Sequence, residues 1–220
     1  QNNVQGAADM GCQPHQGAGY FPVADKKIQD FYTEKYGVVH PTKAGLKIPE
    51  IFDAAINKEV KAVWIIGEDV VQTDPNSAHV AKAMNSLDLL VVQEIFMSET
   101  AKHADVVLPG TTFLEKDGTF TNTERRVQRV NRAAKPLPGT KPDGVIVTEM
   151  MQKLGYNQPI YDADQVLAEI ADVVPFFKGI TRERLGKLGL QWPVKEDGTD
   201  TKILHQKEFK LGKGRIKYFD

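Results

Sequence analysis

The sequence predicts an α/β protein, and three stretches predict it. Val63 to Ile66 is an unbroken apolar run, the pattern of a strand buried on both faces, and Gly67 ends it. Leu89 to Val92 and Ala104 to Leu108 repeat the pattern, the last stopped by Pro109-Gly110. Between the first two strands, Val80, Ala81, Met84 and Leu87 keep helical spacing behind Asp74-Pro75, a pair suited to capping and starting a helix. Strands joined by such crossovers pair in parallel, with right-handed connections. The expectation is one three-layer, Rossmann-like domain over residues 1–220, with a mostly parallel sheet. Its sheet core lies at 61–109, and an irregular C-terminal extension occupies 178–220.

The other elements follow from the same rules. Residues 1–23, rich in Gly, Gln, Asn and Ala, lack periodicity and read as a loop. Asp25 to Tyr36 is a helix with Ile28, Phe31 and Tyr32 on its apolar stripe and Gly37 at its end. Pro49 to Ile56 is a shorter one, with Ile51, Phe52, Ala55 and Ile56 facing a core. Thr and Phe enrichment across 113–132 suggests an extended ribbon turning at Asp117-Gly118. Helices are predicted over Asp143 to Leu154, with Val145, Ile146, Met150 and Leu154 inward, and over Ala163 to Val173, with Val166, Leu167, Ile170 and Val174 inward. Past Lys178 the pattern weakens to short helices, turns and two strands, Thr201 to Leu204 and Arg215 to Tyr218. Trp64, Phe96, Phe113 and Phe120 are assigned to the core.

A chain of 220 residues can bury a real core. Its net charge of -1 gives no global attraction to nucleic acid or to an anionic membrane, and no apolar run is long enough for direct membrane insertion. A single cysteine, Cys12, excludes an internal disulfide and any cysteine-held zinc or iron–sulfur site made by this chain alone. It leans toward a reducing, cytoplasmic setting. The five histidines show no metal-ligand spacing, so no metal site is expected here. No nucleophile elbow, dinucleotide glycine fingerprint or P-loop follows any strand. No catalytic residue is assigned.

What stands out is a row of polar residues where the strands end. Asp69 and Thr73 follow the first, Gln93 and Glu94 the second, and Glu115 and Lys116 lie just after the third. In a doubly wound sheet these edges line one crevice. Carboxylates there suit the ring N–H and exocyclic amine of a guanine, or a pair of ribose hydroxyls, and a lysine suits phosphate. The competing reading is the ordinary polarity of loops. The run Glu124-Arg125-Arg126, with Arg129 and Arg132, can grip phosphate, although a charged edge strand kept from aggregating explains it more simply.

Several motifs occur in a telling order. They are Gln-Asn-Asn-Val-Gln-Gly-Ala-x-Asp-Met-Gly at 1–11, Ile-Ile-Gly-Glu-Asp at 65–69, and Val-Val-Gln-Glu-Ile-Phe at 91–96. Glu-Thr-Ala-x-x-Ala-Asp-Val-Val-Leu-Pro at 99–109 and Glu-Lys-Asp-Gly-Thr-Phe-Thr-Asn-Thr-Glu-Arg-Arg at 115–126 complete the set. From Gln1 to about Gly155 the chain resembles the molybdopterin oxidoreductase family, most of all the catalytic alpha subunit of molybdenum or tungsten formate dehydrogenases. The resemblance implies a fragment: the third of four domains that surround two molybdopterin guanine dinucleotides chelating one metal. By motif, Gly67, Asp69 and Thr73 would form the loop under one nucleotide, with Asp69 on the guanosine. Gln93 and Glu94 would contact ribose and phosphate or base. Lys116 would reach the cofactor, Asp143 would bond the guanine edge, and Gln1 would approach the pterin.

The family's 4Fe-4S cysteines and its metal-ligating cysteine or selenocysteine belong to an N-terminal domain that this sequence lacks. The implied partners are the remaining domains of the same polypeptide, an iron–sulfur electron-transfer subunit or other acceptor, and formate as substrate. Alone, this chain is expected to be inactive. A nitrate-reductase-type relative is an alternative. A cofactor-free scaffold domain of the large iron–sulfur subunit of an NADH–quinone complex is another. Joint retention of Asp69, Thr73, Gln93, Lys116 and Asp143 argues against the scaffold. A domain cut from its neighbours should also expose apolar surface, expected at 1–23 and beyond Lys178.

Overall fold

Residues 3–206 and 209 are described by the computed structural model. The N-terminal stretch expected as a loop is structured instead. A short helix, α1 (Val4–Asp9), leads to β1 (Gln16–Gly17) and β2 (Phe21–Pro22), which pair antiparallel. Polar contacts organise it rather than periodicity. Asp9 is fully buried and accepts hydrogen bonds from Gln5 Nε2 (2.9 Å), the Tyr20 hydroxyl (2.7 Å) and Trp192 Nε1 (2.8 Å). Three donors on one carboxylate offset its loss of hydration.

α2 (Lys26–Tyr36) starts at Asp25, whose carboxylate accepts from Lys27 N at 2.9 Å, and stops at Gly37, left-handed at φ 68°. α3 (Ile48–Ile56) buries Phe52, Ala54 and Ala55 and delivers the chain to β3 (Ala62–Ile66). A one-turn helix not expected from the sequence, α4 (Val70–Thr73), follows. α5 (Ser77–Ser86) begins later than Asp74-Pro75 suggested. Asn76 caps it, accepting from His79 N at 3.3 Å, while Asp74 accepts from Asn76 N at 2.8 Å and shapes the preceding turn. β4 (Leu89–Glu94) and β5 (Val106–Pro109) complete a parallel sheet in the order β3-β4-β5, as the sequence predicts. Trp64 pairs with Val91, Ile66 with Gln93, and Gln93 with Leu108. One face packs on α3 and α5, where Ile65, Leu90 and Val92 share an apolar cluster with Phe52, Val80 and Met84. Each such side chain contributes about 1.5–3 kcal/mol by leaving water.

β6 (Gly118–Thr121) and β7 (Arg126–Val130) form the expected ribbon, but its turn is not at Asp117-Gly118. Gly118 opens β6. The turn falls at Asn122, whose Oδ1 accepts from Glu124 N and Arg126 N, both at 3.0 Å, with Arg125 left-handed at φ 66°. α6 (Asp143–Lys153) stops before Leu154, which is 79% exposed rather than inward. α7 (Ala163–Val173) keeps its expected bounds because Asp162 accepts from Asp164 N and Gln165 N. α8 (Arg182–Leu185) precedes β8 (Leu190–Gln191), an unforeseen strand that pairs with β7. Val127, Leu167, Val174, Phe177, Ile180 and Val194 make a second apolar cluster beneath this antiparallel sheet. Thr201 to Leu204 is not a strand, and the strand expected at Arg215 to Tyr218 lies outside the described residues. Two aromatic assignments also fail: Phe96 is 75% exposed and Phe113 50% exposed.

Candidate functional site

The carboxyl ends of β4 and β5 meet the start of α6. Gln93 donates from Nε2 to Asp143 Oδ1 at 2.8 Å. The other Asp143 oxygen is ion-paired with Lys116, whose Nζ also donates to the Thr111 carbonyl at 3.2 Å. Asp143 stands in the first turn of α6, where a carboxylate complements the free amides of the helix. The start of α6 is fastened to the end of β5, because Lys141 N donates to the Pro109 carbonyl at 3.1 Å. Gly110 permits this closeness: a Cβ there would stand 3.0 Å from Asp143 Oδ1. Glu115 braces the intervening loop, accepting from Thr112 N and Oγ1, both at 2.9 Å, and from Leu137 N at 3.0 Å. The Thr112 bonds hold its carboxyl below the usual carboxylate range.

Two buried oxygens at this junction, Gln93 Oε1 and Thr111 Oγ1, have no partner among the described residues. Such an atom is uncommon and costs about 1–3 kcal/mol. A cavity of about 230 Å³ opens on the Lys116–Asp143 side of the junction, lined by Asn3, Lys116, Phe120, Asp143 and Tyr161 among others, and neither Gln93 nor Thr111 lines it. A second, of about 270 Å³, continues past Lys116 to Arg132 and Arg182. A larger one, about 840 Å³, lies elsewhere against Tyr36, Tyr156 and Glu169, and no expected site residue lines it.

The remaining expected residues divide. Gly67, left-handed at φ 65°, donates its N–H to the Gln93 carbonyl at 2.9 Å and so belongs to the same edge. The Asp69 carboxylate is turned toward the loop before β5. Its Oδ1 accepts from Thr100 N (2.8 Å) and Oγ1 (2.6 Å), and its Oδ2 from Glu99 N (3.2 Å). Burial pushes this carboxyl up, yet the bonds from Thr100, Glu99 and Gln72 together leave it below its ordinary value. Thr73 donates to Glu68 Oε1 at 2.8 Å, and Glu94 accepts from Ile95 N at 2.7 Å. Gln1 lies outside the described residues.

The structure therefore joins Gln93, Lys116 and Asp143 directly, attaches Gly67 through backbone, commits Asp69 to the neighbouring loop before β5, and leaves Thr73 and Glu94 bonded within their own loops. Sequence reasoning passes over Thr111 and Tyr161. Thr111 was within reach, since it follows the glycine that ends the third strand, whereas Tyr161 arrives from a distant loop without a local signal. Among the described residues, no group of three or more His, Cys, Asp or Glu side chains could hold a metal ion. None of their helices is long and apolar enough to cross a membrane.

A parallel sheet whose successive strand ends present polar groups beside a helix start is the arrangement of an α/β domain. A model of the molybdopterin oxidoreductase family matches residues 2–153, and the chain belongs to that family. It is 44% identical over 224 residues to the F420-dependent formate dehydrogenase subunit alpha of Methanocaldococcus jannaschii, a match covering 100% of this chain and 32% of that protein. It is 41% identical over 215 residues to a probable oxidoreductase of Bacillus subtilis, covering 97% of this chain and 22% of that one. The chain thus spans 22% to 32% of the length of these relatives. Acetylene hydratase from Pelobacter acetylenicus shares the fold, with a TM-score of 0.53 at 21% identity over 71% of this chain and 22% of that structure.

Proposed function

We propose that this chain is the part of a formate dehydrogenase catalytic subunit that holds one molybdopterin guanine dinucleotide of a paired cofactor. The observation that carries this is the Gln93–Asp143–Lys116 junction, with the unpartnered oxygens of Gln93 and Thr111 beside it. The donor set fits the group. Gln93 Oε1 and the Asp143 carboxylate accept from the ring N–H and exocyclic amine of a guanine, and Lys116 faces phosphate. Asp69 supports the site indirectly, pinning the loop after β3 to the loop before β5. Thr73 and Glu94 near the ribose, and Gln1 near the pterin, rest on the resemblance alone.

When bound, the group supplies two-electron redox chemistry at its molybdenum or tungsten, and the residues here supply placement. In this reading the metal's protein ligand, the 4Fe-4S cluster and the contact with an electron acceptor belong to other parts of the polypeptide. The setting is cytoplasmic, the substrate is formate, and this segment alone does not turn over.

The test uses the whole protein that carries this chain. It should reduce a dye with formate and release guanine nucleotide on acid hydrolysis. Lys116→Met combined with Asp143→Asn should lower the guanine recovered per protein while circular dichroism stays unchanged. Undiminished guanine in the double variant would move the nucleotide elsewhere, and its absence from the unmodified protein would end the proposal.

A further inference from the structure

Lys116 and Asp143 come from separate segments, the loop before β6 and the first turn of α6. Their side chains are 26% and 35% exposed, and an ion pair that open to water does little to hold two backbones together. Tyr161, from the loop before α7, touches the neighbour of each. Its hydroxyl donates to the Asp117 carbonyl at 3.2 Å, next to Lys116. Its ring lies against Gly144, next to Asp143, where a Cβ would stand 2.4 Å from two of the ring carbons. Its N–H donates to Thr148 Oγ1 at 3.1 Å, one turn further along α6, and that hydroxyl donates to the Gly144 carbonyl at 2.9 Å. Gly144 sits inside a helix, where glycine is less favourable than alanine and no special dihedral calls for it. Its missing side chain is what admits the ring. Burial raises the Tyr161 pKa, and the carboxylates of Asp117, Asp162, Asp143 and Asp164 raise it further, so the hydroxyl stays a protonated donor. Tyr161 also lines both of the smaller cavities beside Lys116.

We propose that Tyr161 is a positioning residue of the nucleotide site, its ring and hydroxyl clamping the start of α6 to the loop before β6 and so fixing the spacing of Lys116 and Asp143. This deepens the cofactor reading above and rests on it, since the pair must meet the guanine nucleotide for its spacing to matter. Tyr161 acts through its neighbours. The ring bears on Asp143 through Gly144, and the hydroxyl bears on Lys116 through the Asp117 carbonyl. A phenylalanine there keeps the first hold and loses the second, and an alanine loses both. A methyl added at Gly144 strikes the ring, so that either the ring or the helix must shift.

The test measures how fast guanine nucleotide leaves the whole protein in urea well below its unfolding midpoint. Tyr161→Phe should speed release about twofold to tenfold, the factor that one intramolecular hydrogen bond represents. Tyr161→Ala should speed it further, and Gly144→Ala should speed it too. The double variant Gly144→Ala/Tyr161→Ala should release no faster than Tyr161→Ala alone, because the methyl no longer meets a ring. An unchanged rate in either Tyr161→Phe or Gly144→Ala, even with a lowered unfolding midpoint, would make Tyr161 a structural residue and overturn the proposal. Additive effects in the double variant would overturn it as well. Lys116→Met combined with Asp143→Asn keeps two failures apart. Slow release from that variant would refute the nucleotide reading and the clamp with it. Fast release from it, beside unchanged release from the Tyr161 variants, would refute the clamp alone.

Discussion

Around the parallel sheet, residues 48–109 supply strands and helices from one continuous stretch, and Leu90, Val92, Val80 and Phe52 close the core between them. The antiparallel sheet is assembled differently. It draws on β6, β7 and β8, packs on α7, and is tied to α1 by the bond from Trp192 Nε1 to Asp9, 183 residues away in sequence. Arg125 reinforces that tie, with Cζ 5.4 Å from the Trp192 ring centre and a bond from its guanidinium to the Thr201 carbonyl at 3.2 Å. The first half rests on apolar burial between neighbours in sequence. In the second, a buried polar hub fixes how distant segments meet. The proposed ligand surface borders the first half, whose packed strands carry Gln93 and Gly67 at their ends.

That contrast can be broken by substitution. Leu90→Ala, at the centre of the first core, should cost about 2–5 kcal/mol through lost burial and a residual cavity, read as a shifted denaturant midpoint. A cost below about 1 kcal/mol would show that this half does not depend on its core as described. Asp9→Ala leaves Tyr20, Gln5 and Trp192 without their acceptor and should cost about 1–3 kcal/mol. Its signature is local: faster hydrogen exchange around β8 and α1, with β4 unaffected. Equal loosening of both halves would mean that they unfold as one unit. Thr100→Val removes one of the three bonds to Asp69 and also the acceptor of Val71 N, for about 1 kcal/mol. It should free the loop after β3 and leave the core intact.

The same contrast explains what the sequence disclosed. Continuous apolar runs and 3.6-residue spacing depend on local physics, so the parallel strands and α2, α3, α6 and α7 were legible to within a few residues. Gln93 and Lys116 were legible as polar residues near strand ends, and Asp143 as the start of a helix. Their mutual bonds were not, because nothing in a linear sequence brings residue 143 to residue 93. Asp69 shows the limit most plainly. An acidic residue after a strand looks free for a ligand, yet Thr100 claims it from the neighbouring loop. The turn of the ribbon was misplaced because Asp117-Gly118 has turn composition, whereas Asn122 holds the turn through two side-chain bonds. Asp9 gave no signal at all, its three donors arriving from positions 5, 20 and 192.

The subtlest expected difference between the halves is their response to acid. Asp69 and Glu115 have lowered folded-state values, so each contributes stability above its ordinary carboxylate value, and loses it as pH falls through the lowered one. Asp9 is shifted the other way, upward: burial outweighs the bonds from Tyr20, Gln5 and Trp192. Ionising it in the fold therefore carries a cost that is absent well below its ordinary value of 3.8 and appears as pH rises through the raised value. Acidification should weaken the link between Asp69 and Thr100 while relieving the Asp9 hub. Exchange of the Thr100 amide, corrected for intrinsic rate, should accelerate as pH drops, while that of the Trp192 indole N–H does not. If the indole opened first, the buried carboxylate would be gaining more from its three donors than it loses to burial, and the hub would be the acid-sensitive half.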